Sequence, residues 1–132
     1  MTAISNSVLV VEDDPSMSQA MARMLRVSGM IPVMFASAEE FLESDDRDGA
    51  LCLIIDVHLP GMSGFALRDR LIAAGATPPI IFITAFDNAD ARALAQRPGT
   101  FAFLAKPFSG QTLIQTLQRV AGAVRMPGPQ AS

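Results

Sequence analysis

Five polar residues stand where apolar runs stop. VLVV at 8–11 ends in Glu12 and Asp13, LCLII at 51–55 ends in Asp56, IIFI at 80–83 ends in Thr84, and TFAFLA at 100–105 ends in Lys106. Short uninterrupted apolar runs suit strands buried on both faces, the kind found in parallel sheets. Parallel strands finish on one edge, so residues spread from 12 to 106 would meet there. Three crowded carboxylates repel one another unless a cation comes between them. Hard oxygen ligands in a partly open site favour Mg²⁺, which keeps several of its waters. An ammonium and a hydroxyl beside such a cation can neutralise and orient the oxygens of a tetrahedral anion, the requirement of phosphoryl transfer. Asp56 would then be the nucleophile, forming an acyl phosphate. Neither GxxxxGK[ST] nor GxGxxG occurs in the chain, so the phosphoryl donor is expected to be something other than ATP held on a phosphate-binding loop.

The elements that must position these groups alternate along the sequence. The run SVLVV (7–11) reads as a first strand, and Asp14 followed by Pro15 as the start of a helix. That helix carries Met17, Ala20, Met21, Met24 and Leu25 on one face and stops at Gly29. IPVMFA (31–36) is a second strand whose Pro32 suggests a sheet edge, where a missing N–H is tolerated. Ser37-Ala38-Glu39-Glu40 is a capping box for a short helix to about Glu43. A third strand ends on Asp56, and the turn Pro60-Gly61 leads to a helix from Ser63 or Gly64 to near Gly75. A fourth strand ends on Thr84. Asp87 is the expected cap of an alanine-rich helix terminated by Pro98-Gly99. A fifth strand ends at Lys106-Pro107, and Ser109 caps a final helix reaching Val124. Five strands alternating with five helices predict a doubly wound α/β fold with a five-stranded parallel sheet and helices on both faces. Right-handed crossovers and an edge position for the second strand favour the order 2-1-3-4-5. The expected domain is 1–125, with MPGPQAS (126–132) as a tail or the start of a linker.

Each polar residue has a plainer reading when taken alone. Glu12, Asp13 and Asp14 could simply complement a helix dipole, Asp56 could cap a turn, and Thr84 is an ordinary strand end. Lys106 alone would be a solvated lysine. Their shared position at strand ends favours a site over those readings. His58 reads as an exposed loop residue, and Phe103 alone as a half-buried strand residue.

Composition narrows the classes of function. The chain has 132 residues, of which 50% are hydrophobic and 17% charged, as expected of one compact domain. A net charge of −3 gives no electrostatic footprint for nucleic acid or an anionic membrane. No apolar run approaches the roughly 18 residues of a membrane span. The opening MTAISNS has neither the basic nor the apolar segment of a secretory signal, so a cytoplasmic location is expected. The lone Cys52 reads as a small buried hydrophobe.

With these residues in view, the chain resembles the receiver domain of bacterial two-component response regulators. The likeness rests on VVEDD (10–14), IIDVHLPGMSG (54–64), ITA (83–85) and FLAKPF (103–108), and extends over about residues 5–124. It implies the flavodoxin-like version of the fold described above. It implies that Asp56 accepts a phosphoryl group from a phosphohistidine on a sensor histidine kinase or phosphotransfer protein. Asp13, Asp56 and the backbone carbonyl of His58 would ligate Mg²⁺, with Glu12 assisting through water. Thr84 would bond a phosphoryl oxygen, Lys106 would pair with it, and Phe103 would be the aromatic switch. The Lys106–Pro107 bond would be cis. Phe86 and His58 occupy positions that tune acyl-phosphate hydrolysis in this family.

The resemblance therefore implies a switch that catalyses only its own phosphotransfer and slow autodephosphorylation. Phosphorylation would change the surface of the fourth helix, fifth strand and fifth helix, for homodimer formation or an effector. The MSGFAL and FAFLAKPF stretches are most similar to receivers that precede a helix-turn-helix domain, so nucleic acid would be reached only through an output domain outside residues 1–132. Two rival readings fit the residues less well. A small aspartate-nucleophile phosphatase needs a second carboxylate two residues after the nucleophile, where His58 stands. A binding-only degenerate receiver is opposed by the intact Asp13, Asp56, Thr84 and Lys106.

Overall fold

The computed structural model describes residues 6–44, 49–75, 77–85, 88–97 and 99–125. Ten elements alternate: β1 (Ser7–Val11), α1 (Pro15–Val27), β2 (Ile31–Phe35), α2 (Ala38–Glu43), β3 (Cys52–Asp56), α3 (Gly64–Ala73), β4 (Ile80–Thr84), α4 (Ala89–Ala95), β5 (Thr100–Ala105) and α5 (Gly110–Arg125). The strands form one sheet in the order β2-β1-β3-β4-β5, and every neighbouring pair is parallel. This is the expected flavodoxin-like topology, with Pro32 on an edge strand where its missing donor costs no ladder bond.

Alternation along the strands divides the core into two layers. Leu9, Val11, Leu53, Ile55, Ile80 and Phe82 pack toward Phe41 of α2, Leu67 and Leu71 of α3, and Ala95 of α4. Val8, Val10, Cys52, Ile54, Ile81 and Ile83 pack toward Met21 and Leu25 of α1 and Leu113, Leu117 and Val120 of α5. All five residues of β3 and of β4 are buried, which is why neither run alternates with polar residues.

The helix starts follow from capping chemistry. Asp14 accepts from the Ser16 N–H, Ser37 from Glu40, Ser63 from Ala66 and Ser109 from Thr112. Two expectations shift by one residue. The cap of α4 is Asn88, which accepts from the Ala91 N–H at 2.8 Å, and not Asp87, which lies outside the described residues. Glu40 folds back onto the Ala36 N–H at 3.2 Å, one position before the cap residue that a capping box uses. Phe86 and the segment 126–132 also lie outside the described residues.

The β4–β5 ladder contains an irregularity. Ile80 faces Thr100 and Ile81 faces Ala102, leaving Phe101 as the extra residue of a bulge. Phe101 is 37% exposed, under the guanidinium of Arg119. Among the described residues, no helix is long and apolar enough to cross a membrane.

Candidate functional site

The C-terminal ends of β1, β3, β4 and β5 bring the predicted residues together. β1 and β3 are neighbours in the sheet, and the chain leads outward from β1 to β2 on one side and from β3 to β4 on the other, the kind of position where open α/β sheets bind ligands. Glu12 continues from β1 and is anchored by its own N–H to the Phe35 carbonyl at 2.9 Å. Asp56 is the last residue of β3, and Thr84 the last of β4. Lys106 follows β5, with its N–H donating to the Thr84 carbonyl at 2.7 Å and a cis peptide bond to Pro107.

Lys106 joins the acids. Its Nζ donates to Asp56 Oδ2 at 3.0 Å and to Glu12 Oε1 at 3.1 Å. The second oxygen of each carboxylate is also held: Asp56 Oδ1 accepts the His58 N–H at 2.9 Å, and Glu12 Oε2 accepts the Asp14 N–H at 3.2 Å. Glu12 is 2% exposed and Asp56 5%, so both carboxylates lie below the surface, whereas Asp13 is exposed. One oxygen from each of Glu12, Asp13 and Asp56 lies within 4.8 Å of the others. An all-oxygen donor set with an open side fits a hard divalent cation such as Mg²⁺.

Burial dominates the electrostatics of Glu12. It pushes the carboxyl up to about 7 from its ordinary 4.5, with Asp56 adding to the rise and the Asp14 N–H and Lys106 opposing it. For Lys106 burial pulls downward, but the hydrogen bonds and charges of Asp56 and Glu12 together outweigh it, so the ammonium is held more firmly than usual. The site thus carries more carboxylate than one ammonium can balance, which favours a further cation.

Thr84 is fully buried at the end of β4. Phe103 on β5 is half-buried, with the Arg92 guanidinium of α4 over its ring at 5.6 Å. Two features escaped the sequence reading. Glu12 grips Lys106 directly, a contact that a separation of 94 positions conceals. Arg68 is fully buried between α3, α4 and the start of β5, donating from Nη1 to the Leu94 carbonyl at 2.6 Å and to Thr100 Oγ1 at 3.0 Å, with the rings of Phe65 and Phe82 each 5.4 Å away.

Comparison with known proteins gives the arrangement its family. The family model of the response regulator receiver domain matches residues 8–118. The chain belongs to the receiver-domain family of response regulators. Among curated proteins it is 39% identical over 110 residues to Nodulation protein W of Bradyrhizobium diazoefficiens, covering 83% of this chain and 48% of that protein. It is 34% identical over 113 residues to the C4-dicarboxylate transport transcriptional regulatory protein DctD of Rhizobium meliloti, covering 86% of this chain and 25% of that protein. The receiver therefore spans half or less of the length of these relatives. The crystal structure of FixJ-N superposes with a TM-score of 0.81 at 27% identity, covering 97% of this chain and 99% of that one. Receivers are signalling modules of two-component systems, and the relatives named for transcriptional regulation extend well beyond the part matched here.

Proposed function

We propose that Asp56 is the phosphoacceptor of a Mg²⁺-dependent signalling switch. The observation that carries the reading is the double contact of Lys106 with Asp56 and Glu12, beside the exposed Asp13. In the transfer, an oxygen of Asp56 attacks the phosphorus of a phosphohistidine on a sensor histidine kinase or phosphotransfer protein. The new O–P bond forms as the P–N bond breaks, and the departing imidazole takes up a proton. Asp13, Asp56 and the His58 carbonyl would hold Mg²⁺, with Glu12 acting through water. When bound, the ion supplies positive charge that offsets the phosphoryl oxygens.

The chain's own residues do the rest. The His58 N–H and Lys106 fix the two oxygens of Asp56 and so orient its lone pairs before transfer. After transfer, Lys106 pairs with a phosphoryl oxygen and the Thr84 hydroxyl moves to donate to another. Movement of Thr84 vacates space beside β5, into which Phe103 turns from beneath Arg92. The face formed by α4, β5 and α5 is then altered, biasing the chain toward a second copy of itself or toward an output domain. Turnover of an external substrate is not part of this activity.

Beryllofluoride, a mimic of the phosphoryl group, tests the reading. With Mg²⁺ present it should shift the backbone amide resonances of Thr84, Phe103 and Lys106 together, and the same additions to D56N should leave them in place. A response in D56N equal to that of the wild type, or none in either, would reject Asp56 as the acceptor.

A further inference from the structure

The loop between β3 and α3 carries the groups that surround Asp56, and its stem and tip are held differently. At the stem, Val57 donates to the Ile83 carbonyl at 2.9 Å, and Gly64 donates back to the Val57 carbonyl at 3.0 Å. Gly64 lies so close to the strand that a Cβ there would stand 2.5 Å from the Asp56 carbonyl oxygen, so the stem cannot move without breaking that packing. The tip, Pro60 to Met62, crosses to α2 instead. Glu39 Oε2 accepts the Met62 N–H at 3.1 Å across 23 residues of sequence. The carboxylate is seated on the backbone of Gly61, where a Cβ would meet Oε2 at 2.8 Å and where φ is +74°. The N-cap hydrogen bond of α2 is made by Ser37 to the Glu40 N–H, which leaves the Glu39 carboxylate to the loop.

We propose that Glu39 is a positioning residue for the phosphoacceptor site, acting through the β3–α3 loop. The proposal rests on the reading of Asp56 given above. His58 stands between the fixed stem and the Glu39-held tip. Its N–H, on Asp56 Oδ1, belongs to the Val57–His58 peptide that Gly64 already fixes. Its carbonyl lies in the next peptide toward the tip, which the contact at Met62 orients toward the cation. A charge-assisted hydrogen bond at an exposed carboxylate has a modest effect, about threefold to tenfold in an equilibrium constant.

Mg²⁺ titration, amide hydrogen exchange and acetyl-phosphate labelling of the wild type, E39A and E39Q test the proposal. In E39A the Met62 amide should lose protection and Mg²⁺ affinity should fall by about threefold to tenfold. Labelling should slow at low Mg²⁺ and recover at saturating Mg²⁺. E39Q keeps a carbonyl acceptor without the charge, so it should restore most of the affinity. Wild-type Mg²⁺ affinity in E39A would overturn the proposal. So would E39Q binding as weakly as E39A, since a long-range charge effect would then account for the loss. A wild-type chain that neither binds Mg²⁺ nor takes label would overturn the Asp56 reading, and the role of Glu39 in positioning would fall with it.

Discussion

Replacing Lys106 with methionine removes the ammonium that bridges two buried carboxylates while keeping most of the side-chain volume. Its Nζ lies 3.0 Å from Asp56 and 3.1 Å from Glu12, and the lysine is only 21% exposed. Breaking a buried pair by deleting one partner costs about 3–5 kcal/mol, and the partial exposure of Lys106 reduces the expected loss to about 2–3 kcal/mol. The cost must depend on pH. Glu12 titrates at about 7 in the folded chain against an ordinary 4.5, so between these values the folded state binds a proton that the unfolded state has released. Its contribution to stability is therefore complete below the lower value and lost as pH rises through the upper one, a swing of about 3 kcal/mol. Lys106 is one of the influences that hold Glu12 down, so K106M pushes the carboxyl higher and widens that window. The raised pKa of Lys106 itself affects stability only above its ordinary 10.5, outside this range. Urea unfolding at about pH 5 and about pH 8, with and without Mg²⁺, measures the effect. K106M should be weaker than the wild type at both pH values, because Asp56 loses its partner at each, with the larger deficit at the higher pH, where Glu12 loses it too, and partial rescue there by Mg²⁺. An equal deficit at both pH values, unaffected by Mg²⁺, would refute the electrostatic reasoning and leave lysine a packing role only.

Three further outcomes follow from the same geometry. Cys52 is fully buried and burial pushes its thiol up to about 12, so iodoacetamide should not label the native chain at neutral pH and should do so in urea; rapid native labelling would contradict the packing of β3. N88A should destabilise by about 1 kcal/mol in urea unfolding and N88D should recover it, because α4 has only seven residues and depends on its cap; an unchanged midpoint would show that the cap is not needed. Arg68 buries a charge whose Nη2 has no hydrogen-bond partner among the described residues. R68M should stay within about 1 kcal/mol of the wild type whereas R68A costs about 3 kcal/mol, and equal losses would show that the hydrogen bonds to Leu94 and Thr100 outweigh desolvation.

The fold was legible because its strands obey a simple rule. The β3 and β4 runs are apolar throughout, being covered on both faces, and each changes to a polar residue where the sheet ends. That rule alone brings Glu12, Asp56, Thr84 and Lys106 to one edge once the strands are taken as parallel. Pro32 marked the edge position of β2 for an equally local reason. What stayed hidden depends on tertiary distance. Arg68 lies in a helix of mixed polarity, where an arginine ordinarily points to water, and nothing nearby in sequence announces the Leu94 carbonyl and Thr100 hydroxyl that receive it. Glu39 could be seen only as part of a capping box, since Met62 is 23 residues away. The choice of Asn88 over Asp87 turned on one residue, where two good caps stand side by side and the backbone selects between them.

The central claim is that one carboxylate at this sheet edge, Asp56, receives the phosphoryl group. Incubating the chain with acetyl phosphate and Mg²⁺, trapping the acyl phosphate by borohydride reduction and locating the modified residue by mass spectrometry tests it most directly. The reduced residue should be found at position 56, with no modification in EDTA and none in D56N. Modification at Glu12 or Asp13 in the wild type, or undiminished labelling of D56N, would contradict the claim.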